Sequence, residues 1–543
     1  MVVAYLDAIA PVRPLREGEI ATHEGGIAHE ANNWTRLRRF LILGSEGGNF
    51  YTPERDLTIE NVGVVQACAA EDAARTIGEI VTISESGRAP KNEPAILALA
   101  MLSLDERDRA RRLAFGNLSR VCRTGTHLLH FAAYREALGG GWGRGMRTAV
   151  GKWFTDKSPR DLAYQVVKYP SRDGWALADL LRLAHPKMPG DHGLLARYIT
   201  GKMPELWPLF ADNDTHQFLA ACELAKMEPQ LESIAQLIQQ YRVPRETVHT
   251  SLLNDPKVWD ALLADMPTTA MIRNLGKMTN VGLLADRSDA AKVVAERILD
   301  AERLRKARVH PISILNALRV YEQGRGDKSS LTWGPVKAIT NALDEAFYLA
   351  FGTVTPTGKR MRLALDVSGS MDQSKVVGMN LSAREASAAL ALVTLAVEPD
   401  AHVVAYSHKL VGVNLRPSMR LDEVLRILRG IPMGGTYCSL PIQQATEAGA
   451  SIDLFASFTD SETWNGGSRH FSSSGGYADL NQTASEALQA YRLRSGIEAR
   501  HAVVAMSVNK FSIADPNDPG QLDVAGCDAA TPQLLADFAL GLM

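Results

Sequence analysis

Apolar residues recur at spacings of three and four along the chain from about residue 60 to residue 350. That spacing places them on one side of an α-helix, so each such segment predicts an amphipathic helix of roughly 8–17 residues. Short Gly, Pro, Asp or Asn breaks separate the segments. They are EPAILALAML, RDLAYQVV, ALADLLRLAH, QLESIAQLIQQY, PKVWDALLADM, AAKVVAERILDAERL and PISILNALRVYEQG.

A long row of short amphipathic helices does not easily form one spherical core. Stacked pairs of helices bury each apolar stripe on a neighbour, and the result is a solenoid. The segments show no strict sequence period. We therefore expect an irregular helical-repeat domain.

The pattern changes near residue 352. GTVTPTGKRM is typical of a linker, and after it the short β-rich runs MRLALDV, AHVVAYS, SIDLFASF and RHAVVAMSV alternate with helical segments. Strands that alternate with helices predict a mostly parallel sheet covered on both faces. The expected domains are therefore residues 1–356 and residues 357–543, with a flexible Gly/Ser-rich loop at 465–477.

Composition adds limits to this picture. A chain of 543 residues is too long for one core, and 46% hydrophobic with 22% charged residues describes a soluble globular protein. It has no apolar run long enough to span a membrane and no secretory signal, so we expect a cytoplasmic protein. Five distant cysteines without a CxxC pair favour buried free thiols over a zinc site.

The net charge of −2 hides an asymmetry. Residues 135–205 contain 12 Lys and Arg against 7 Asp and Glu, whereas residues 360–543 contain 14 against 19. A locally basic segment in a near-neutral protein is a candidate polyanion-binding surface. Charge alone does not decide this, because charged helix faces are usually just solvated.

Oxygen-bearing side chains follow the first apolar strand of the second domain. Asp366 stands at the expected strand tip, and Ser368 and Ser370 follow at two-residue spacing. Thr436 in GGTYCS and Asp460 in FTDSET are expected at the same edge, because ligand sites in parallel sheets lie beyond the carboxyl ends of the strands. A hard cation prefers such oxygen ligands, so we predict a Mg²⁺ site, with Ca²⁺ and Mn²⁺ as alternatives.

Catalytic motifs are missing or incomplete. The glycines between residues 139 and 151 do not have P-loop spacing, and the G-x-G there follows a helix instead of a strand. The sequence contains no G-x-S-x-G elbow, no zincin pair and no carboxylate-rich two-metal centre. We therefore expect a binding protein and not an enzyme.

The basic segment mixes cations with tryptophans. If 176–184 is helical, Lys168, Arg172 and His185 flank that helix, where cations would contact phosphate. The ordinary alternative is that His185 is a buried core residue. Tryptophan side chains in this segment are similarly expected to be core anchors more than platforms for bases; they are Trp142, Trp153 and Trp175.

Two resemblances sharpen these expectations. The D-x-S-x-S, Gly-Gly-Thr and Thr-Asp elements resemble the metal-ion-dependent adhesion site (MIDAS) of von Willebrand factor A domains. That resemblance implies Ser368, Ser370 and Thr436 as ligands, with Asp366 and Asp460 holding the ion, often through water. Whether the ion would be structural or would capture a partner's carboxylate stays open.

Six ordered stretches resemble the Ro ribonucleoprotein (TROVE-domain) family, in its bacterial form. They are RLRRFLILGSEGGNFYT, RTGTHLLHF, GRGMRTAVGKWF, KYPSRDGWALADLLRLAH, RVHPISILNALRVYEQG and FSIADPNDPGQLDVAGCD. The resemblance implies a ring of HEAT-type helical repeats closed by a von Willebrand factor A domain.

The same resemblance implies functions and partners. Members bind small noncoding Y RNA on the outside of the ring and single-stranded 3′ ends of misfolded RNA inside it, in RNA quality control with an exoribonuclease. We expect a monomer in the ribonucleoprotein.

The family's Y RNA contacts correspond to Lys168, Arg172 and His185. Three further contacts are argued from charge alone; they are Arg144, Arg147 and Lys152. Pro170 and Ala176 replace polar residues expected there, which puts the footprint in doubt. The competing hypothesis is an RNA-independent scaffold that binds protein partners through the metal site.

Overall fold

The structure is a computed structural model of the 543-residue chain. It describes residues 19–21, 27–30, 32–43, 54–86, 89, 92–203, 213–227, 231–307, 309–326, 330–354, 356–376, 379–432, 436–460, 470–471, 477–478, 482–506, 511–515, 518–526 and 531–541.

Helices dominate the first part of the chain. Those described before the main sheet are α1 Asn33–Leu43, α2 Glu54–Ser86, α3 Glu93–Leu102, α4 Asp108–Gly116, α5 Leu118–Val121, α6 Gly125–Ala137, α7 Arg144–Thr155, α8 Pro159–Lys168, α9 Leu177–Ala184, α10 Asp191–Ile199, α11 Asp214–Met227, α12 Leu231–Tyr241, α13 Pro256–Ala264, α14 Thr268–Asn280, α15 Asp289–Leu299, α16 Ala301–Lys306, α17 Pro311–Glu322 and α18 Lys337–Leu349. Short 3-10 turns lie at Arg245–Thr247, Leu252–Asn254 and Ala350–Thr353.

Helix boundaries follow capping chemistry. Ser158 accepts a hydrogen bond from the backbone N–H of Asp161, and Pro159 takes the first helical position of α8, where its missing N–H costs nothing. Asp300 likewise caps α16 and separates it from α15. The expected single helix over AAKVVAERILDAERL is therefore two helices.

The helices pack on near neighbours in the sequence, as the solenoid prediction expected. Contacts join α2 to α3, α3 to α6, α7 to α9, α12 to α13, and α17 to α18. One apolar core runs through α1–α13, and a second continues from Trp259 through α18 onto the sheet. This is the quasi-linear packing of a helical-repeat protein.

The strands are β1 Glu19–Ala21, β2 Ile27–Glu30, β3 Ser171–Arg172, β4 Trp175–Ala176, β5 Met361–Asp366, β6 Ala401–Tyr406, β7 Leu410–Gly412, β8 Leu454–Thr459, β9 His470–Phe471, β10 Tyr477–Ala478, β11 Arg500–Ala505, β12 Phe511–Ser512 and β13 Gln521–Ala525. The helices among the later strands are α19 Ser370–Gln373, α20 Ala383–Val397, α21 Leu421–Arg429, α22 Leu440–Glu447, α23 Ala484–Ser495 and α24 Thr531–Leu540.

The main sheet has the strand order β13-β11-β8-β5-β6-β7. All of its pairings are parallel except that of β7 with β6. Every residue of β5 is buried: Leu363 and Leu365 face one core and Ala364 faces another. The prediction of a mostly parallel sheet covered on both faces is confirmed, and β7 is the antiparallel exception at its edge.

Both ends of the helical row contact the α/β domain. At the start, β2 pairs with β12, and α1 packs on β13. At the end, α17 and the 3-10 turn after α18 pack on α20. The described chain therefore forms a closed circuit, which confirms the predicted ring-like architecture.

Parts of the sequence predictions fall outside the described residues. Of the Gly/Ser-rich stretch 465–477, the structure describes β9 and the first residue of β10, which pair antiparallel. Cys527 is not described, and the other four cysteines are buried free thiols, as expected. Among the described residues, no helix has both the length and the apolar composition that crossing a bilayer would need.

Candidate metal centre and nucleic-acid interface

The candidate metal centre begins where β5 ends. Asp366 is the last residue of β5 and is 1% exposed. The parallel register places Leu365 beside Phe458 of β8, so the ends of the two strands are adjacent. The Thr459 hydroxyl consequently donates a 2.8 Å hydrogen bond to Asp366 Oδ2.

Two serines continue the site in the loop after β5. The Ser368 backbone N–H donates to Asp366 Oδ1 at 2.8 Å, which folds the loop back on the strand end. Ser368 Oγ and Ser370 Oγ lie 3.1 Å apart. Ser368 is buried and Ser370 is exposed, so the hydroxyl pair reaches from the interior to the surface.

Thr436 and Asp460 lie at the same edge of the sheet. Asp460 directly follows β8, and both side chains are buried. The segment that holds Thr436 is fixed to the end of β6 by a 3.1 Å hydrogen bond from the Tyr437 N–H to the Ser407 carbonyl. The structure therefore brings all five predicted metal residues to one edge, with direct contacts among Asp366, Ser368 and Ser370.

The charge at this edge fits a cation. Burial, together with the nearby Asp460 carboxylate, raises the pKa of Asp366 to about 7, against the opposing hydrogen bonds from Ser368 and Thr459. Two buried carboxylates without a cation repel each other, and a divalent ion between them would remove that cost. Among the described residues, no group of three or more His, Cys, Asp or Glu could hold a metal, so hydroxyl oxygens would complete the ligand set.

Arg384 on α20 supports the metal-motif loop, and sequence reasoning missed it. Its side chain is 1% exposed, and Nη2 donates to the carbonyl of Ser368 at 2.9 Å. Nε lies 2.9 Å from a carboxylate oxygen of Asp372. The available signal was an Arg at the start of a helix that is mostly apolar after Glu385, because a cation buried there needs partners.

The candidate nucleic-acid interface contains the exposed face of α7. Arg144 and Arg147 are exposed, and neither forms an ion pair within the described part of the chain. Lys152 is also exposed, and its amino group lies 3.9 Å from Asp156, at the limit of an ion pair. These three cations are therefore available to an anionic ligand.

Lys168 and Arg172 stand on either side of a turn from α8 into the β3–β4 hairpin. Lys168 is half-buried and donates a 3.0 Å hydrogen bond to the Tyr164 hydroxyl. Arg172 is 62% exposed, with Nε 3.7 Å from Asp173. The two cations lie at the end of the interface near the start of α9.

The hairpin turn is Asp173-Gly174, with φ of 51° and 80°. The buried His130 of α6 contacts the Asp173 carboxylate through Nδ1 and so fixes the turn that carries Arg172. Sequence reasoning missed the contact between His130 and Asp173, and it also missed the hairpin. Asp-Gly is a strong hairpin signal, because both turn residues adopt positive φ, and it was present in SRDGWA.

His185 lies at the other end of α9, where it ends the helix in a left-handed conformation with φ of 50°. Its side chain is exposed, so the buried-core alternative is wrong. A Cβ built on Gly151 would lie 3.3 Å from Pro186 Cβ, which shows that the C-terminal ends of α7 and α9 touch. Lys152 directly follows Gly151, and His185 directly precedes Pro186, so both residues adjoin this contact.

The N-terminal ends of α7 and α9 also meet. The rings of Trp142 and Trp175 lie 5.9 Å apart, and Trp175 pairs with Arg172 in the hairpin. The two helices thus run side by side. The eight residues of α9 span about 12 Å between its two ends. Arg144, Arg147 and Lys152 lie on α7, and Arg172 and His185 flank α9. Lys168 instead ends α8 and lines a neighbouring cavity. Trp153 is buried as expected, whereas Trp142 and Trp175 are half-buried.

Comparisons with known proteins match the whole architecture. The model of the TROVE domain matches residues 20–204 and 240–319, and that of the Ro60 vWA domain matches residues 360–539. The chain is 36% identical to the RNA-binding protein RO60 of Deinococcus radiodurans over 547 residues, which cover 99% of each protein. It is 34% identical to the RNA-binding protein RO60 of Caenorhabditis elegans over 601 residues, 97% of this chain and 91% of that one.

A solved structure agrees. The crystal structure of the Deinococcus radiodurans Ro (RSR) protein superposes with a TM-score of 0.76 at 35% sequence identity. The match covers 94% of this chain and 100% of that chain.

Proposed function

This chain belongs to the Ro60 family, and from that premise we propose that it is an RNA-binding protein whose α7–α9 face holds structured RNA by its phosphates. The observation that carries the proposal is the pair of exposed arginines on α7, Arg144 and Arg147, which form no ion pair among the described residues. Arg172 and His185 extend the same positive face at its two ends. Side chains do not enter the narrow major groove of A-form RNA, so contact with backbone and shape suits this surface.

The proposed ligands are of two kinds. On the α7–α9 face the ligand is a small noncoding RNA of the Y RNA class. Inside the closed circuit it is the single-stranded 3′ end of a misfolded RNA, which the protein presents to an exoribonuclease in quality control or maturation. Support for the second ligand comes from the circuit itself, because a ring retains a strand without reading its sequence.

Binding of a labelled RNA hairpin to the purified protein tests the first ligand. We expect an affinity that falls steeply with salt, since phosphate contacts release counterions. Co-purification of nucleic acid, seen in the ultraviolet absorbance, separates this function from an RNA-independent scaffold. A protein that purifies without RNA and binds no hairpin at low salt would favour the scaffold.

The proposal includes no cleavage by this chain. Labelled RNA incubated with the purified protein and Mg²⁺ should keep its length, and an exoribonuclease added to the same mixture should shorten it. Cleavage that copurifies with the chain and disappears in an Asp366→Ala variant would contradict the proposal.

We also propose that the strand edge binds Mg²⁺. Ser368, Ser370 and Thr436 would supply hydroxyl oxygens, and Asp366 with Asp460 would balance the charge. Such an ion pins the loops, and its few anionic ligands leave it electrophilic enough to attract a carboxylate from a partner protein.

Thermal unfolding with and without Mg²⁺, Ca²⁺ or Mn²⁺ tests this site. The wild-type midpoint should rise with the ion, because a ligand of the folded state stabilises it. Asp366→Ala should abolish the rise. If Asp366→Ala no longer folds in Mg²⁺, the ion is structural; a folded variant that has lost one protein interaction indicates carboxylate capture.

A further inference from the structure

A cavity of about 860 Å³ lies between α14 and α17, where the helical row approaches the α/β domain. Its wall includes Trp333, from the segment between α17 and α18, and Met379, from the loop between α19 and α20. Its volume is within the range of small-ligand pockets, about 300–1,000 Å³. None of the residues proposed above to bind RNA or metal lines it.

Trp333 is fixed as a flat wall of this cavity. Its indole N–H donates to the Tyr321 carbonyl at 2.9 Å, and the two rings stack at 6.0 Å. The six-membered ring lies directly on α14 at Gly276, where an added Cβ would come within 2.6 Å of Trp333 Cζ3. Glycine inside a helix lowers its stability by about 1 kcal/mol relative to alanine. The close approach of Trp333 explains why a glycine nevertheless stands at position 276.

The polar part of the wall is mainly positive. Arg273 and Lys277 are one helical turn apart on α14, and Arg245 is beside them, against the single carboxylate of Glu246. Lys277 Nζ donates to Asn254 Oδ1 at 2.9 Å, and Arg245 Nη1 donates to Asn274 Oδ1 at 2.9 Å. Neither Arg273 nor Lys277 forms an ion pair among the described residues, so both keep charge available to an anion.

The cavity adjoins a second one of about 630 Å³ that contains Lys168, and Glu246 lines both. Lys168 and Trp333 therefore line neighbouring cavities that share the Glu246 side chain. On the opposite side, the backbone N–H of Asn380 donates to Asn316 Oδ1 at 2.6 Å, which ties the loop after the metal motif to the cavity wall.

We propose that this cavity binds one unpaired nucleotide, with its base against Trp333 and its phosphate between Arg273 and Lys277. A flat aromatic wall, flanked by cations and amide groups, matches a planar base that carries an anionic group. The inference rests on the proposed RNA function and adds a site for the single-stranded ligand. Its source is either a free mononucleotide or a residue of an RNA strand.

The test measures three probes on the full chain by fluorescence anisotropy: labelled AMP, a labelled hexa-adenylate and the labelled RNA hairpin. Arg273→Ala with Lys277→Ala should weaken hexa-adenylate binding about tenfold or more, because each removed group is a charged donor. Hairpin affinity should stay within about twofold of wild type, since the α7–α9 face is intact.

Gly276→Ala tests the aromatic wall. The new methyl group must displace Trp333, and loss of stacking on one base lowers affinity by about five- to a hundredfold. Gly78→Ala is the matched control, because Gly78 is also helical but has open space where its Cβ would lie. Circular dichroism of all variants checks that each remains folded.

The outcomes separate this site from the proposed function. If the Arg273/Lys277 and Gly276 variants bind hexa-adenylate and AMP with wild-type affinity, the proposed nucleotide site is wrong. The proposal that the α7–α9 face binds the hairpin would be unaffected. Failure of the wild-type protein to bind either RNA would overturn both. Binding of hexa-adenylate but not AMP, lost in the variants, assigns the nucleotide to a strand; the reverse pattern assigns it to a free nucleotide.

Discussion

Replacing Arg144, Arg147 and Lys152 together with alanine removes three positive charges from the exposed face of α7. Among the described residues, only Lys152 of the three has a carboxylate within 4 Å, that of Asp156 at 3.9 Å. Little existing ion pairing is therefore lost, and the folded protein should keep its stability within about 0.5 kcal/mol, as is usual for surface substitutions. The effect is expected in RNA binding.

The size of the expected change in RNA affinity follows from counterion release. Each phosphate contact contributes about 0.9 to the slope of log affinity against log salt, a value established for duplex DNA, so three contacts contribute nearly 3. Between about 50 and about 200 mM salt, this makes the wild-type affinity fall about 40-fold further than that of the triple variant. The two proteins should differ most at low salt.

Anisotropy of a labelled RNA hairpin, titrated at several salt concentrations, measures both slopes. A matched control removes three exposed cations from α16, namely Arg303, Arg305 and Lys306. Arg303 and Arg305 are already paired with carboxylates at 3.2 and 2.8 Å, so this variant changes the net charge equally but removes only one cation, Lys306, that has no ion pair among the described residues. Equal slopes for the triple variant and the wild type, or an equal reduction in the control, would refute the role of α7.

Three further predictions concern positioning and pH. Arg384→Met should weaken Mg²⁺ binding in calorimetry without removing a ligand, because the metal-motif loop loses a buried donor; unchanged affinity would show that the loop holds itself. His130→Ala should release the hairpin turn and weaken hairpin-RNA binding about as much as Arg172→Ala does, and the double variant should be no weaker than either one. Burial lowers the pKa of His310 to about 4, whereas an unfolded histidine titrates near 6.5, so the unfolded state takes up the proton first and stability falls as pH drops through this window. His310→Asn keeps a capping acceptor for α17. Between pH about 7 and about 5, its free energy of unfolding in urea should decrease by about 2 kcal/mol less than that of the wild type. Equal decreases in the two proteins would exclude this histidine as the cause.

Much of the local structure could be predicted because local forces decide it. β5, β6, β8 and β11 begin and end within about three residues of the predicted apolar runs, because each is buried and bounded by polar residues. Helices such as α3 and α17 carry their own stop signals. The metal motif was recognisable for the same reason, since parallel strands bring their C-terminal residues to one edge.

Long-range pairing could not be predicted in the same way. β1 and β2 are short, and β2 pairs with β1 on one side and on the other with β12, near the other end of the sequence. No local pattern specifies such a pairing. Supporting residues such as Arg384 were also missed, because their importance depends on the carbonyls they meet in space.

The seam between β2 and β12 has a consequence for synthesis of the protein. Glu30 is made early and Phe511 is made near the end of translation, yet the two are paired in the finished fold. Contacts between such distant positions carry the largest loop-closure cost and tend to form late. We therefore expect the ring to stay open until these strands pair, and an RNA bound across it at that stage would be enclosed on closure without a free end.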